Sequence, residues 1–385
     1  FGSSSESQSA SITIAMACTG VDDSGEPSAK RPKATVKVPV IDLAKLRDGD
    51  ASTKARVAHE FDEAFRTVGF VTICNYQAWL PDAAIAALRE HTTAWFKLGT
   101  AAKLSARVDG MIGYVGEGEE NVAATTGAPS TKPDLVESLN LPGYQEDSGG
   151  WNATPKAPEV PWDRAQWLAA PQSAELRAAA TEYWRGATEL MHVLMRLAEA
   201  ALGLPDGYFM PSYAKPGTLL RLAYYPATAG IDDGDDGAGD GTWRYGAHTD
   251  YDGFTILQRG DVAGPSDMGD GAGSGGLEIE WPDGVWRPQP ATHGELTINI
   301  GDLLSRWTNN RWKATKHRVA PPPKGSAAAK RDRLSVVYFT GPHPDTVVQC
   351  LPSCAPPPGQ PTAFEPITAR AHVQSKIEAA VGVIA

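Results

Sequence analysis

The stretch from Thr218 to Gln349 constrains the fold most, because short β-type segments alternate there with turn residues. Apolar and β-branched residues come in brief runs that Gly and Pro separate. Many short strands are typical of an all-β sandwich or barrel, and about eight antiparallel strands in two sheets make a jelly roll. The expected strands are Leu219–Tyr225, Tyr245–His248, Phe254–Gln258, Leu277–Trp281, Val285–Arg287, Glu295–Ile300, Thr315–Val319, Leu334–Phe339 and Thr346–Gln349.

Helical periodicity dominates the chain before this stretch. Ser52 is the expected N-cap of the first helix, and residues 108–165, which are rich in Gly, Pro and Asn, are expected to be loops. The other predicted elements are a strand near Val36–Asp42, a helix Thr53–Thr67, a buried strand Phe70–Asn75, helices Pro81–Leu98 and Ala174–Leu202, and a final helix Ala369–Ala380.

These patterns predict a mainly β protein with flanking α-helices, built on a double-stranded β-helix (jelly roll) core with an α-rich N-terminal region. Two inserts rich in Gly, Gly230–Gly241 and Gly264–Gly276, fit no calcium loop and are expected to be solvated surface loops. The predicted segments are a disordered tail at 1–35, a mixed α/β region at 36–205, the jelly-roll domain at 206–350 and a C-terminal extension with a helix at 351–385.

Composition limits the partners of the chain. Its 385 residues carry a net charge of −11, which argues against nucleic acid and anionic lipid as partners. No run approaches about 18 apolar residues, so no membrane span is expected. We expect the partner to be a small molecule, and we also expect the protein to be a monomer.

Cysteine usage bears on the compartment. The four cysteines form no metal-type Cys-x-x-Cys pair, and we expect free thiols in a reducing compartment. A disulfide between Cys350 and Cys354 is the alternative for two of them; the other two are Cys18 and Cys74. A cytoplasmic location follows, although residues 1–35 are also compatible with the remnant of a targeting peptide.

His248, Asp250 and His317 are the candidate metal ligands. Alternation along an extended strand places His248 and Asp250 on the same face, and a jelly roll can bring His317 beside them from a distant strand. Two imidazoles and one carboxylate can occupy one face of an octahedral ion and leave the other face open, as in non-heme Fe(II) oxygenases. The other histidines are expected to be structural or exposed; they are His59, His91, His192, His293, His343 and His372.

A candidate anion pocket follows in Arg333-Leu-Ser335. Arg333 and Ser335 share one strand face, where a guanidinium and a hydroxyl can hold a carboxylate. If a second carboxylate of the same molecule binds the iron, a keto acid would lie across the open face. Arg331 is the competing arginine, and only the Arg-x-Ser spacing favours Arg333.

With both elements present, the chain resembles the isopenicillin N synthase-like group of 2-oxoglutarate/Fe(II) dioxygenases over roughly residues 36–350. The N-terminal pattern Val38–Asp42 and Gly69-Phe-Val is also similar to this family. The motifs that carry the resemblance are His248-Thr-Asp250, Ile298–Leu304, Thr308–Asn310, Ala314–Val319 and Arg333-Leu-Ser335.

The resemblance implies roles for individual residues. His248, Asp250 and His317 would bind iron, and Arg333 and Ser335 would bind the distal carboxylate of 2-oxoglutarate.

Two further positions near these motifs bear on the cosubstrate. Tyr225 matches a tyrosine that hydrogen-bonds 2-oxoglutarate in the family, whereas Ala223 stands where the family often has Asn. The interval between His317 and Arg333 is also lengthened by an insert. One cosubstrate contact of the family is therefore expected to be missing here.

The resemblance also implies Fe(II), 2-oxoglutarate and O2 as cofactor and cosubstrates, with ascorbate as an optional stimulant. The reaction would be hydroxylation, desaturation or cyclisation of a small organic molecule, with release of succinate and CO2. The alternatives are an isopenicillin N synthase-like oxidase that uses no 2-oxoglutarate, a catalytically silent small-molecule-binding protein on the same fold, and a zinc hydrolase.

Expectations about the substrate are broad: it would be apolar, aromatic or derived from an amino acid. A loop at 108–145, with Tyr114 and Asn121, is expected to cover the site. The candidate apolar walls are Phe254 and Phe339, and Arg221 is a candidate contact for an anionic substrate.

Overall fold

Helices from the N-terminal half cover one face of a long twisted sheet, and a second, smaller sheet covers the other face. The computed structural model describes residues 37–107, 112–126, 132–143, 173–228, 243–261 and 275–381. The predicted tail at 1–35, Cys18, the insert Gly230–Gly241 and nearly all of the insert Gly264–Gly276 lie outside the described residues.

The described helices are short except for α2, α3, α5 and α8. They are α1 (Leu43–Asp48), α2 (Ala51–Thr67), α3 (Asp82–Phe96), α4 (Thr100–Leu104), α5 (Ser173–Leu202), α6 (Met210–Tyr213), α7 (Asp302–Trp307) and α8 (Ala369–Val381).

The described strands lie mostly in the C-terminal half. They are β1 (Val40–Asp42), β2 (Phe70–Cys74), β3 (Gly113–Val115), β4 (Glu137–Pro142), β5 (Leu219–Tyr225), β6 (Tyr245–His248), β7 (Phe254–Asp261), β8 (Gly276–Glu280), β9 (Trp286–Pro288), β10 (Glu295–Ile300), β11 (His317–Ala320), β12 (Arg333–Phe339), β13 (Val347–Val348) and β14 (Ile367–Thr368).

Two sheets form the jelly-roll core. The large sheet has eight strands in the order β1-β2-β10-β7-β12-β5-β4-β3, and the small sheet has four in the order β6-β11-β8-β9. Only β1 and β2 pair in parallel within the large sheet. This architecture confirms the predicted fold class. The predicted strands Leu219–Tyr225, Tyr245–His248 and Glu295–Ile300 have the predicted bounds.

Strand alternation separates a helix-facing core from an interior between the sheets. On β5, Leu220, Leu222 and Tyr224 join the main hydrophobic core with α2, α3 and α5, whereas Ala223 and Tyr225 pack with residues of the small sheet. Each large apolar side chain buried in this core contributes about 1.5–3 kcal/mol. The interior between the sheets is therefore free to hold polar side chains.

Two predictions about the N-terminal half are wrong. Residues 108–165 were expected to be loops, but their described part contains β3 and β4, which extend the edge of the large sheet. Asp50, not Ser52, caps α2, because its carboxylate accepts the Thr53 amide at 2.8 Å while the Ser52 hydroxyl donates to the same carboxylate. Asp50 is the better cap here because it bonds the helix directly.

From Lys37 onward the described residues form one compact unit. The domain boundaries predicted after residues 205 and 350 fall inside this unit and stay predictions. Cys74, Cys350 and Cys354 are free thiols. No helix in the described part of the chain combines the length and apolarity that a bilayer crossing requires.

Candidate metal centre

The pairing of β6 and β11 brings the first and last candidate ligands together. His248 ends β6 and His317 begins β11, and the two residues are direct partners in the antiparallel register. Asp250 follows His248 after one residue. The convergence that the sequence predicted therefore follows from one strand pair and one short extended segment.

The donor atoms of the three side chains surround a common point. The Nε2 atoms of His248 and His317 lie 3.5 and 3.6 Å from Oδ1 of Asp250, and the donor atoms all lie within 4.8 Å of one another. All three residues are buried. Among the described residues this is the one cluster of His, Cys, Asp or Glu with metal-binding geometry.

Hydrogen bonds fix the orientation of both imidazoles. Nδ1–H of His248 donates to the Gly246 carbonyl at 2.8 Å, and Nδ1–H of His317 donates to the Thr315 carbonyl at 3.2 Å. These bonds select the tautomer in which Nε2 is unprotonated and directed at the shared point.

Hydrogen bonds also fix the orientation of the Asp250 carboxylate, and both are accepted by the same carboxylate oxygen. Its Oδ2 accepts the Thr255 hydroxyl at 2.5 Å and the Asn299 amide at 2.6 Å, which leaves Oδ1 toward the histidines. Sequence reasoning did not single out Thr255 and Asn299. The motif Ile298–Leu304 contained the signal for Asn299, but it was matched as a family motif without a role for each residue.

Electrostatics keep the donors in the forms that bind a metal. Burial raises the pKa of Asp250, but the neighbouring His317 and His248 outweigh it and hold that pKa well below the usual range. Burial, and then the neighbouring His248, lower the pKa of His317 to about 4. A carboxylate and a neutral imidazole are the forms that ligate a cation.

This donor set fits Fe(II). Imidazole and carboxylate suit iron, and three facially arranged protein ligands leave positions for a bidentate cosubstrate and dioxygen. The three described cysteines belong to β2 and the segment after β13, and none is among the donors.

Close backbone contacts lock the ligand segment in place. The Asp302 amide donates to the Asp250 carbonyl at 2.8 Å, and the Gly301 amide donates to the Gly253 carbonyl at 2.7 Å. A Cβ at Gly301 would lie 2.5 Å from the Asp252 carbonyl oxygen and 3.0 Å from that of Asp250. Glycine is therefore required where this motif passes the metal centre.

The predicted anion pocket lies on β12. In the register, Arg333 is opposite Tyr225 of β5 and Ser335 is opposite Ala223, so all four residues lie on adjoining strands. The Arg333 guanidinium reaches across to β8, since a Cβ at Gly276 would lie 2.6 Å from it. The strand begins at Arg333, so the competing Arg331 precedes it.

A second arginine, Arg259, lies beside this pocket and was missed by sequence reasoning. It is the β7 partner of Ser335, it is buried, and its guanidinium donates to the carbonyls of Gln289 and Pro290 and to Thr297. Burial and then Arg333 lower its pKa to about 9, which leaves it cationic at neutral pH. Two arginines therefore make this end of the interior strongly positive.

Several predicted substrate contacts lie elsewhere. Phe254 packs in the helix-facing core against Phe61 and Phe65, so it is not a wall of the site. Tyr114 also faces that core, where its hydroxyl donates to Glu137 at 2.8 Å. For Tyr114 the reason is strand parity, which could not be assigned in a segment that was interpreted as a loop.

Other candidates lie near the site. Asn121 precedes the 3-10 turn Val122–Thr126, which packs against β6 through a hydrogen bond from Thr126 to the Ala247 carbonyl. Phe339 is opposite Thr255 in the register of β12 and β7. Arg221 is not a free cation, because its guanidinium forms a buried ion pair with Glu120.

Comparisons with known proteins agree with this geometry. The family model described as the 2OG-Fe(II) oxygenase superfamily matches residues 216–342. The family model described as the non-haem dioxygenase in morphine synthesis N-terminal region matches residues 38–162. Together the two matches cover most of the described chain.

Curated relatives span most of the chain. Gibberellin 20 oxidase 2 of Oryza sativa subsp. japonica is 30% identical over 330 residues, which cover 85% of this chain and 73% of the relative. Validamycin A dioxygenase of Streptomyces hygroscopicus subsp. limoneus is 26% identical over 328 residues, which cover 84% and 81%.

Solved structures show the same fold. A full-length Neurospora crassa protein in complex with alpha-KG superposes with a TM-score of 0.71 at 24% identity, covering 88% of this chain and 95% of that one. A putative 2OG-Fe(II) oxygenase family protein from Caulobacter crescentus gives a TM-score of 0.64 at 26% identity, covering 89% and 98%.

Proposed function

Because this chain belongs to the 2OG-Fe(II) oxygenase superfamily, we propose that His248, Asp250 and His317 bind its Fe(II). The protein is an Fe(II)- and 2-oxoglutarate-dependent dioxygenase that oxidises a small organic molecule. The observation that supports the ligand assignment is the convergence of three buried donors on one point, with both imidazole Nδ1 atoms already bonded elsewhere.

We further propose that Arg333 and Ser335 bind the distal carboxylate of 2-oxoglutarate and that Tyr225 contributes a hydrogen bond. The register of β12 and β5 supports this set, since Arg333 and Tyr225 are direct partners and Ser335 is two residues along the same face. A guanidinium and a hydroxyl suit a carboxylate. Arg259 adds a second positive charge beside Ser335.

The chain's own residues position the reactants. When bound, Fe(II) and 2-oxoglutarate supply the oxidising chemistry, in which dioxygen is consumed and 2-oxoglutarate is converted to succinate and carbon dioxide. Thr255 and Asn299 hold Asp250 so that one carboxylate oxygen faces the metal. The burial of all three donors keeps bulk water away from the reacting centre.

Relatives favour a 2-oxoglutarate-dependent enzyme over an oxidase without that cosubstrate. A relative from a Dothideomycetidae strain, 26% identical over 89% of this chain, is named a 2-oxoglutarate-dependent dioxygenase. The intact donor set argues against a catalytically silent binding protein, and turnover that depends on dioxygen would exclude a zinc hydrolase.

The substrate can be assigned only to a broad class of molecules. Relatives include a gibberellin oxidase and a validamycin A dioxygenase, and one Neurospora crassa structure contains thymine, so a small molecule is the common feature. The net charge of −11 supports our proposal that nucleic acid is not a partner. We also propose a monomer, which sedimentation would test, and a cytoplasmic location, which the three free cysteines support.

Succinate formation tests the proposed function. Purified protein supplied with Fe(II), 2-oxoglutarate, O2 and a panel of small organic molecules should form succinate. His317→Ala should abolish this activity, whereas His343→Ala, which changes a histidine near the surface, should not. Succinate formation that survives in His317→Ala would refute the assignment.

A further inference from the structure

Beside the metal centre lies a buried polar group that the proposed function leaves without a role. Its members, called here the paired subsite, are Glu120, Ser138, Asn140, Arg221 and Tyr245. Glu120 precedes the 3-10 turn, Ser138 and Asn140 lie on β4, Arg221 lies on β5 and Tyr245 begins β6.

An ion pair forms the centre of the paired subsite. Nη2 of Arg221 donates to both carboxylate oxygens of Glu120, at 2.8 and 3.1 Å, and the two side chains are only 7% and 2% exposed. The Ser138 hydroxyl donates to Glu120 at 2.9 Å, and Nη1 of Arg221 donates to the Asn140 side-chain oxygen at 3.4 Å. The pair has no net charge.

Aromatic contacts connect the paired subsite to the iron ligands. The Arg221 guanidinium lies 5.0 Å from the centre of the Tyr245 ring. The Tyr245 ring in turn packs edge-on against the His248 imidazole, with centroids 4.8 Å apart. Strand parity directs Arg221 to the same interior as Ala223 and Tyr225, away from the helix-facing core. The Tyr245 ring therefore connects this pair to a ligand of the metal centre.

The contacts leave hydrogen-bonding capacity at both partners. A guanidinium has five N–H donors, and the bonds to Glu120 and Asn140 use only part of them. The Glu120 carboxylate accepts from Arg221 and Ser138 and retains lone-pair capacity. A donor and an acceptor are thus adjacent, as on the edge of an amide.

We infer that the paired subsite recognises a neutral amide-type group of the substrate and discriminates against a carboxylate. An amide, lactam or imide can accept from Arg221 and donate to Glu120 without changing the charge of the buried pair. A carboxylate would add an uncompensated negative charge beside Glu120, which is costly in a buried site. This inference rests on the proposed function, and it replaces the expectation that Arg221 meets an anionic substrate.

Matched probes test the inference. Benzamide and benzoate, and nicotinamide and nicotinate, are titrated anaerobically into protein loaded with Fe(II) and 2-oxoglutarate. Equilibrium dialysis gives the dissociation constants, and the change in the visible charge-transfer band reports binding near the metal. The wild-type protein should bind each amide at least about tenfold more tightly than its carboxylate, because the buried pair disfavours added charge.

Substitutions then separate charge from shape. Glu120→Gln leaves Arg221 uncompensated and should reverse the preference toward the carboxylates. Glu120→Gln combined with Arg221→Gln restores neutrality and should return the amide preference at weaker affinity. Glu137→Gln is the matched control, because Glu137 also lies on β4 and forms an ion pair with Lys103 of α4, but it belongs to the opposite face from Ser138. This variant should still bind each amide more tightly than its carboxylate, as the wild-type protein does.

Three results would overturn the inference: carboxylates that bind the wild-type protein as tightly as amides, an unchanged order in Glu120→Gln, or no binding of either amide. The charge-transfer band before any probe is added reports the Fe(II)–2-oxoglutarate complex. If that band forms and the order is wrong, only the inference fails; if the band never forms, the proposed function fails as well.

Discussion

Asp250 depends on two neighbours that present one of its oxygens to the metal. Asn299→Ala removes the 2.6 Å bond to Oδ2, so the carboxylate can rotate and Fe(II) affinity should fall about 10- to 100-fold. Anaerobic equilibrium dialysis measures the change. Thr297→Val, on the same strand but bonded to Arg259, is the control and should leave Fe(II) affinity unchanged. Equal affinities in wild type and Asn299→Ala would show that this bond does not orient the ligand.

His317 should titrate far below an ordinary histidine. Burial and His248 lower its pKa to about 4, so the neutral, metal-binding form should persist as the pH falls from 7 to 5. Protonation occurs only as the pH falls through about 4. The His317 ring signals in an NMR titration of the metal-free protein measure this pKa directly. A midpoint near the unperturbed value of about 6.5 would contradict the described environment.

Arg333, not Arg331, should determine the affinity for 2-oxoglutarate. Arg333→Gln removes a charge-assisted contact to the distal carboxylate, so the KM for 2-oxoglutarate should rise about 100-fold. Arg331 precedes β12, and Arg331→Gln should change that KM less than about twofold. Succinate formation measured against 2-oxoglutarate concentration gives both values. A larger effect at Arg331 would move the pocket to that residue.

At the residue scale the sequence predicted the metal ligands better than the buried residues around them. His248 and Asp250 could be placed on one face by strand parity, and the family motifs placed His317. Glu120 could not be placed, because it lies in a Gly-rich stretch without periodicity and its partner Arg221 belongs to a distant strand. A buried ion pair between such segments leaves no local pattern in the sequence.

At the scale of elements, the local sequence pattern of each segment explains which strands and helices were predicted and which were missed. The predicted strands of the β region were short β-type runs between Gly and Pro, and their bounds matched within two residues except at the end of β7, which extends to Asp261. β3 and β4 were missed, because Gly, Pro and Asn surround them and their order comes from pairing with β5. The short helices α1 and α7 were missed for a similar reason, since a helix of six residues carries little periodicity.

The turn between α2 and β2 also reaches the metal centre. Gly69 has φ +77°, and a Cβ there would overlap the Lys313 carbonyl oxygen and the Thr315 hydroxyl. Thr315 is the residue whose carbonyl orients His317, and its hydroxyl donates to the Val68 carbonyl at 2.6 Å. The glycine is therefore required by conformation and by space.

Gly69→Ala should consequently destabilise the protein more than an equivalent change elsewhere. Backbone strain alone costs about 1 kcal/mol, and the overlap should bring the loss in unfolding free energy to more than about 2 kcal/mol. Gly203→Ala is the control, because Gly203 follows α5 with φ +67° and nothing lies within 4 Å of its Cβ position. Urea unfolding compares the two variants. Equal losses would mean that the contact with Lys313 and Thr315 can relax.

At the scale of the whole molecule, helices, sheets and the C-terminal segment converge on one centre. The N-terminal helices support the large sheet, which carries Thr255, Asn299 and the anion pocket. The small sheet carries both histidines. The C-terminal helix α8 contributes Lys376, which forms an ion pair of 2.7 Å with Asp302, whose amide bonds the Asp250 carbonyl. Sequence patterns predicted the two-sheet core. The contacts that connect α8 to the metal centre were not predicted, because they join segments far apart in the chain.

Anaerobic titration of the metal-free protein with Fe(II), followed by 2-oxoglutarate, tests the central claim most directly. We predict that one Fe(II) binds per chain, that a visible charge-transfer band appears with 2-oxoglutarate, and that His248→Ala, Asp250→Ala and His317→Ala each lose both signals. The account is contradicted if the wild-type protein binds no Fe(II), or if the three variants bind it as tightly as the wild type.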